Sequence, residues 1–229
     1  MENNREPGRL RNLRTYVPLA FKFYELKSEY LPPIIFLVLL AFSMASAFIE
    51  IKDNTFAFLY SFFNFIIEFL FLTVYLFACI KEFKKEAYTL SECFLSVLKN
   101  ALKIIAIAII YGAAVITGSI LFIIPGVIVS VMFIFSISCL VDKNTGILES
   151  FKASKQLTDG RKGQIFVIIF MFSLIWLAPL MYLVLQIQLN RTIVTVFILQ
   201  FISLLISLMQ QRLIAAMYVD LEYGKDAGI

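Results

Sequence analysis

Hydrophobic residues in this chain of 229 residues are grouped in long runs without a charged side chain. Such runs occupy residues 30–49, 104–141, 163–190 and 192–211, and Glu68 alone interrupts another run at residues 55–80. A helix needs about 20 apolar residues to cross the hydrocarbon core of a membrane. The pattern therefore predicts an all-α protein with six transmembrane helices, near residues 31–51, 55–80, 103–124, 126–141, 164–187 and 192–217.

The run at residues 104–141 is long enough for two of these helices, because its 38 residues are nearly twice what one crossing needs. Pro125-Gly126 lies near its middle and is a typical turn dipeptide, so we expect the turn between the two helices there. In the helix before this turn, Gly112 and Gly118 each have an alanine four residues away, at Ala108 and Ala114. Small residues at this spacing favour close helix packing.

A second pattern, with apolar side chains on one helical face, precedes each pair of predicted transmembrane helices. Spacing i, i+4, i+7, i+11 places four residues on one face of a helix. Three segments have this spacing: Leu19, Phe23, Leu26 and Tyr30; Leu90, Phe94, Val97 and Ala101; and Ile147, Phe151, Ser154 and Thr158. Amphipathic helices of this kind can lie at the headgroup level. We therefore expect three pseudo-repeats, each an interfacial helix followed by a helical hairpin.

Local signals mark the ends of these three amphipathic helices. Pro18 is suited to the first turn of the first helix. Thr89 and Glu92 have the spacing of a capping box, which predicts the start of the second. Asp159-Gly160 predicts the end of the third, because Gly160 can adopt the left-handed conformation beyond a C-cap.

The positions of the basic residues predict the orientation of the chain in the membrane. Eighteen of the 20 Lys and Arg residues lie on the side that carries both termini, and only Lys52 and Arg191 lie on the other side. Basic residues are enriched in cytoplasmic segments, so both termini are expected to be cytoplasmic. We expect a mobile basic tail at residues 1–15, one transmembrane domain at residues 16–222 and a short cytoplasmic tail at residues 223–229.

The composition excludes several classes of function. The chain is 61% hydrophobic and 16% charged, whereas soluble domains are about 45–50% apolar. It has no His, which excludes imidazole bases and His-ligated metals. It also has no phosphate-binding loop and no nucleophile elbow. The three cysteines have no metal-type spacing and are expected to be reduced thiols. We therefore expect no enzyme, no catalytic residue, no metal site and no cofactor.

Glu68 is an acid near the middle of a predicted transmembrane helix, where a charge costs about 2.5–3.5 kcal/mol on insertion scales. It belongs with Asn64 to a polar stripe on the second predicted transmembrane helix. A matching stripe on the sixth predicted transmembrane helix contains Gln200, Ser203 and Ser207, and Arg212 is placed to reach from the inner boundary toward Glu68. One interpretation is a proton-coupled or ligand-binding cleft. The other, which we favour, is a set of hydrogen bonds that hold the helices together.

The net charge of +4 comes from basic residues that flank transmembrane helices rather than from a single patch, so we expect no nucleic-acid partner. Membrane lipids are the expected partners, and a membrane or cytoplasmic protein partner is left open. The candidate residues for contact with lipid headgroups are Lys99, Lys103, Lys155, Arg161 and Lys162.

Two short motifs carry a resemblance to a known superfamily. They are Ile124-Pro125-Gly126 and, after one predicted helix, Phe151, Ser154, Leu157-Thr158 and Gly160-Arg161. Together they resemble the signature of a bacterial membrane-domain superfamily. That superfamily includes the membrane domain fused to some glycerophosphodiester phosphodiesterases and several uncharacterised six-helix families. The chain departs from the usual pattern at Ser150-Phe151, where Ala-Leu is common.

The resemblance implies a six-helix protein of the bacterial inner membrane, with amphipathic helices on the cytoplasmic side. It does not imply phosphodiesterase activity, because the catalytic domain of those enzymes is a separate soluble barrel that uses a metal and His residues. We expect a non-enzymatic, lipid-associated or accessory membrane factor. Two alternatives are a small transporter or permease subunit with Glu68 as its coupling or ligand group, and a self-protection protein against membrane-active peptides.

Overall fold

The structure, a computed structural model, describes residues 10–11, 13–24, 26, 31–48, 54–189 and 192–224. In these ranges the chain is all-α, as predicted, and forms ten helices and no strand. The helices are α1 Leu13–Phe21, α2 Leu31–Phe48, α3 Asn54–Phe83, α4 Leu90–Lys99, α5 Ala101–Leu121, α6 Ile123–Met132, α7 Ser136–Lys143, α8 Ile147–Thr158, α9 Lys162–Leu189 and α10 Ile193–Tyr223.

Five segments in the described ranges are long and apolar enough to cross a membrane. They are Phe58–Phe83, Ala101–Leu121, Ile123–Lys143, Lys162–Tyr182 and Ile193–Tyr223. Within α2, the apolar segment Pro32–Met44 is shorter than these five. Residues 49–51, the end of the first predicted transmembrane helix, lie outside the described residues.

The core lies at the C-terminal ends of α3 and α10, which pack against each other. Every residue from 72 to 80 on α3 is buried, and so is every residue from 215 to 221 on α10. A helix that is buried on all faces is surrounded by protein, and here α1, α2 and α9 pack against α10 while α4 and α7 pack against α3. The N-terminal halves of α3 and α10 instead expose apolar side chains such as Phe58, Phe63 and Ile193.

The first amphipathic helix lies earlier in the chain than predicted. The predicted stripe runs from Leu19 to Tyr30, but α1 ends at Phe21 and contains Pro18 in its interior rather than in its first turn. Tertiary packing explains the shift, because Tyr16 and Ala20, four residues apart, are fully buried against the core. Residues 27–30 lie outside the described residues, as do residues 1–9 and 225–229 of the two predicted tails.

The turn between α5 and α6 is also displaced from its predicted position. Phe122 alone separates the two helices, with an extended backbone at φ −162° and ψ 149°. Pro125 and Gly126 therefore lie in the first turn of α6 and not in the connection. Proline fits there because the first four backbone N–H groups of a helix have no partner within the helix.

The ends of α4 and α8 agree with the predicted caps. The Thr89 hydroxyl accepts a hydrogen bond from the Glu92 backbone N–H, and the Glu92 carboxylate accepts one from the Thr89 backbone N–H. The α8 helix ends at Thr158, and Gly160 has a φ of +70°. These caps are local, so the sequence was sufficient to predict them.

Candidate functional site

The two polar stripes predicted inside the membrane lie on helices that pack against each other, α3 and α10. Asn64, Glu68, Gln200, Ser203 and Ser207 are all half-buried. The Ser207 hydroxyl donates to the Ser203 carbonyl oxygen at 3.0 Å, within its own helix. In the part of the chain that the structure describes, no hydrogen bond or ion pair joins the two stripes, and Glu68 has no partner of either kind.

Arg212 is buried and does not pair with Glu68. Its Nε donates to the Leu19 carbonyl oxygen at 3.1 Å, just before the end of α1. Its guanidinium carbon lies 5.1 Å from the centre of the Phe83 ring, in cation–π geometry. Arg212 therefore holds α1 against α10 and the C-terminal end of α3.

A buried polar cluster, which the sequence did not predict, surrounds Asp142 on α7. We call it the Asp142 cluster. The carboxylate is only 2% exposed and accepts hydrogen bonds from the Tyr218 hydroxyl at 2.8 Å and from the Tyr223 hydroxyl. The Lys84 ammonium, which follows α3, donates to it at 2.9 Å. Three helices are thus joined at one carboxylate.

The pKa of the Lys84 ammonium reflects its position in this cluster. Burial would by itself lower the pKa of the ammonium. Hydrogen bonds to Glu86 and Asp142 outweigh burial and raise the pKa above its ordinary value. Lys84 therefore remains a charged donor under all physiological conditions, and the Asp142 carboxylate keeps its counterion.

A second buried carboxylate, Asp220, joins α1 to α10. Its side chain is 3% exposed, accepts a hydrogen bond from the Tyr16 hydroxyl at 2.6 Å and pairs with the Arg11 guanidinium at 3.1 Å. Burial, together with the hydrogen bond to Asp220, raises the pKa of the Tyr16 hydroxyl. Arg11, one of these three groups, belongs to the segment at residues 1–15 that the sequence assigned to a mobile tail.

The residues of the two motifs that resemble the membrane-domain superfamily lie at two contacts between helices. Gly126 lies against α5, where a Cβ atom would meet the Ser119 side chain and come within 2.9 Å of the Ser119 Cα. Ser154 on α8 accepts a hydrogen bond from the Phe135 backbone N–H at 3.2 Å and donates to the Met132 carbonyl oxygen at 2.9 Å. Thr158 donates to the same carbonyl at 3.3 Å.

These α8 hydroxyls satisfy backbone groups at the interruption between α6 and α7. The sequence predicted one continuous helix over residues 126–141, but α6 ends at Met132 and α7 begins at Ser136. Side-chain hydroxyls of α8 thus replace backbone hydrogen bonds that the interruption removes. Leu157 of the same helix packs against the core. The motif has a structural explanation in this chain, with Gly160 just beyond the end of α8 and Pro125 in the first turn of α6.

The surface of α4 is divided into three sectors. Cys93 and Val97 are buried and pack toward α3. The next sector is apolar and exposed, with Phe94 at 40%, Leu95 at 52% and Leu98 at 55% of their surface, and exposed Leu102 at the start of α5 lies close to it in sequence. The third sector is polar and contains Glu92, Ser96 and Lys99, and exposed Lys103 follows at the start of α5.

The basic candidates differ in their surroundings. Lys99, beside the apolar sector of α4, and Lys103, at the start of α5, are exposed and form no ion pair within the described ranges. Lys155 is exposed on α8, whose outward face is polar apart from Leu148. Lys162 pairs with Asp159 at 3.2 Å, and Arg161 is half-buried. Among these candidates, as far as the structure describes them, Lys99 and Lys103 are therefore the unpaired lysines that accompany the exposed apolar face of α4.

Among the described residues, no group of three or more His, Cys, Asp or Glu side chains is placed to hold a metal ion. Cys79, Cys93 and Cys139 are free and buried.

No protein-family model, no curated protein and no solved structure matches this chain. Similarity to the bacterial membrane-domain superfamily therefore stays a prediction from the motif residues.

Proposed function

We propose that the chain is a six-span integral protein of a bacterial inner membrane, with both termini in the cytoplasm. Five apolar segments support this proposal, and α2 supplies the sixth span, because its 18 residues measure about 27 Å. The distribution of Lys and Arg supports the orientation, since only Lys52 and Arg191 lie on the opposite side. In this orientation the core, the Asp142 cluster, α4 and α8 lie toward the cytoplasm.

Within this frame, we propose a non-enzymatic role in which the protein associates with lipids of the cytoplasmic leaflet. The observation that carries the proposal is the division of α4 into three sectors. A helix that packs with one face, exposes Phe94, Leu95 and Leu98 on the next and places Lys99 on a third is suited to the membrane interface. The apolar sector contacts acyl chains, and Lys99 and Lys103 contact anionic headgroups.

The contrast with α8 makes the proposal specific. Both helices are amphipathic, but α8 buries its less polar face in the protein and exposes Glu149, Lys152, Lys155 and Gln156. A helix with a polar outer face gains nothing from contact with hydrocarbon. We therefore propose that α4 is embedded at the interface, whereas α8 closes the bundle from the aqueous side.

Paired charge reversals on the two helices test the lipid association. The variant Lys99→Glu/Lys103→Glu and its control Lys152→Glu/Lys155→Glu change the net charge equally. Each is reconstituted in nanodiscs of mixed phosphatidylcholine and phosphatidylglycerol, and bound lipid is counted by native mass spectrometry. We expect the α4 variant to retain about 25-fold less phosphatidylglycerol, from about 1 kcal/mol for each lysine, and the control to match the wild type. Equal retention by both variants would contradict the proposal.

Cysteine labelling tests the orientation separately. In a background without native cysteines, Asn190→Cys should react with a membrane-impermeant maleimide in intact cells. Gln156→Cys, which is exposed on α8, should react only after the membrane is permeabilised. The reverse pattern would place the termini outside the cytoplasm.

A second candidate function, transport with Glu68 as the coupling or ligand group, is favoured by one observation. Glu68 lies half-buried on an apolar helix and has no hydrogen-bond or ion-pair partner in the described ranges. We expect Glu68→Gln to leave folding and lipid retention unchanged under the lipid-associated role. Loss of a cellular phenotype in a Glu68→Gln variant that expresses and elutes like the wild type would instead favour transport.

A further inference from the structure

Two adjoining apolar cavities lie between α4 and the pair α2 and α3. The larger has a volume of about 490 Å³ and is lined by Ile34, Phe71, Val74 and Phe94 among others. The smaller, of about 100 Å³, shares Phe71, Val74 and Phe94 with it and extends to Ile67 and Leu98. Because the two cavities share three lining residues, we treat them as one groove and call it the α4 groove.

The lining of the α4 groove specifies an apolar occupant. All of its lining residues are apolar except Ser91 at the start of α4. The groove also opens to the surface of the protein, since Ile34, Phe94 and Leu98 expose 44%, 40% and 55% of their surface. The volume of the larger cavity falls within the range of about 300–1,000 Å³ that is typical of ligand pockets. An occupant can therefore enter from the side, out of the surrounding lipid.

The length of the α4 groove fits one leaflet. Ile67 and Val74, which both line the groove, lie along one side of α3, and the rise between them is about 10 Å. Half of a hydrocarbon core of roughly 30 Å is about 15 Å. The groove therefore fits within one leaflet and covers about two thirds of the path of a single acyl chain from the cytoplasmic surface to the bilayer midplane.

A cation lies beyond the α4 groove, toward the C-terminal end of α3. Lys81 lies one turn beyond Phe77 on α3, and its ammonium is 5.3 Å from the centre of the Phe77 ring. Val74, Phe77 and Lys81 have the spacing i, i+3, i+7 and so share one face of the helix. Lys81 makes no ion pair in the part of the chain described by the structure. An anionic group at the end of an acyl chain would supply the missing counter-charge.

We propose that the α4 groove binds one acyl chain of an anionic phospholipid from the cytoplasmic leaflet, with its phosphate at Lys81. The proposal rests on the orientation given under Proposed function, and it names a single bound lipid rather than a general attraction to headgroups. The apolar lining recognises the chain, and Lys81 selects lipids whose headgroup carries a net negative charge. The groove thereby fixes α4 against α2 and α3 through a lipid.

Quenching of a tryptophan in the groove tests this proposal. The chain has one tryptophan, so Trp176→Phe gives a silent background in which Phe94→Trp reports on the groove. The reporter protein is reconstituted in phosphatidylcholine vesicles that contain brominated phosphatidylglycerol or, separately, brominated phosphatidylcholine. We expect the phosphatidylglycerol to bind beside the reporter about fivefold more strongly, the ratio for one lysine near an anionic headgroup.

Four matched variants separate the groove from the bulk lipid. Leu102→Trp, whose side chain is 85% exposed, should be quenched equally by both lipids. Lys81→Gln should abolish the preference at Phe94→Trp, whereas Lys152→Gln should not. Val74→Phe narrows the groove and should reduce quenching of Phe94→Trp by either lipid. All variants are first matched by elution volume and helical circular dichroism.

Two outcomes would overturn the proposal. Equal quenching of Phe94→Trp by the two lipids would show that the groove holds bulk lipid without selection. Absence of quenching at Phe94→Trp, with normal quenching at Leu102→Trp, would show that no lipid enters it. Neither outcome concerns Lys99 or Lys103. The headgroup proposal is therefore tested by its own experiment.

Discussion

The hydroxyl of Tyr16 donates a hydrogen bond of 2.6 Å to the carboxylate of Asp220, and this bond joins α1 to the end of α10. The second oxygen of the same carboxylate pairs with the Arg11 guanidinium at 3.1 Å. Both acceptor atoms of a carboxylate that is 3% exposed are therefore satisfied. A buried carboxylate needs such partners, because loss of its hydration would otherwise destabilise the fold.

Removal of the Tyr16 hydroxyl tests the contribution of this bond. A hydrogen bond to a charged group contributes about 1.5–3 kcal/mol, so we expect Tyr16→Phe to lower the free energy of unfolding by that amount. Chemical unfolding in detergent measures it. Tyr24→Phe is the control, because Tyr24 is 59% exposed, and it should differ from wild type by less than about 0.5 kcal/mol. Equal effects of the two variants would show that the Tyr16 bond contributes little.

In the Asp142 cluster, we expect removal of a single charge to lower stability more than removal of the Tyr16 hydroxyl does. Asp142→Asn removes the buried counterion of Lys84, and such a loss typically costs about 3–5 kcal/mol. Asp159→Asn removes a carboxylate that is 76% exposed and pairs with Lys162, so its cost should stay below about 1 kcal/mol. Both are compared by the thermal stability of the purified protein. A small effect at Asp142 would mean that Glu86 alone suffices as the partner of Lys84.

The close approach of α5 and α6 is tested by two glycine substitutions. Gly126→Ala places a Cβ against the Ser119 backbone at 2.9 Å, so the helices must separate and stability should fall by about 1–3 kcal/mol. At Gly112 a Cβ has nothing within 4 Å, and Gly112→Ala should raise stability by up to about 1 kcal/mol through helix propensity. If Gly126→Ala is as stable as the wild type, the two helices are not in contact at this point.

We expect alkylation of the Cys93 thiol to depend on pH. Burial raises the pKa of its thiol to about 11. At pH 8 its thiolate fraction, and hence its alkylation rate, should be about a hundredfold below that of a thiol of ordinary pKa. Ser91→Cys, exposed on the same helix, is the control, and labelled peptides are counted by mass spectrometry. Equal rates at the two positions would contradict the burial of Cys93.

The raised pKa also has a consequence for stability. Because the folded protein holds the Cys93 proton more tightly than the unfolded chain, its contribution is complete below the ordinary thiol pKa of 9.0. It decreases as the pH rises from there toward about 11. Cys93→Ser should therefore flatten the loss of stability in this alkaline range.

Features that depend on neighbouring residues were predictable from the sequence. The apolar runs predicted the long helices, and the Thr89–Glu92 box and Gly160 predicted the ends of α4 and α8 correctly. Each of these signals lies within a few residues of the structure that it determines. Hydrophobic length and cap chemistry act locally, so they do not require knowledge of the fold.

Features that depend on distant partners were not predictable. Lys84, Asp142 and Tyr218 each lie near the end of an apolar run, where a polar side chain usually marks the membrane boundary. Their meeting requires contacts across 58 and 76 residues, which no local pattern encodes. The predicted position of α1 was wrong for the same reason. Burial of Tyr16 against α10 outweighed the local signal of Pro18.

The hydrogen bond between Tyr16 and Asp220 also determines when α1 can pack against α10 during synthesis. Tyr16 leaves the ribosome 204 residues before its partner, so α1 cannot make this contact until α10 has been translated and inserted. Until then its buried face, with Tyr16 and Ala20, has no α10 to pack against. The nascent protein must therefore keep this segment away from competing surfaces until α10 is in place to cover it.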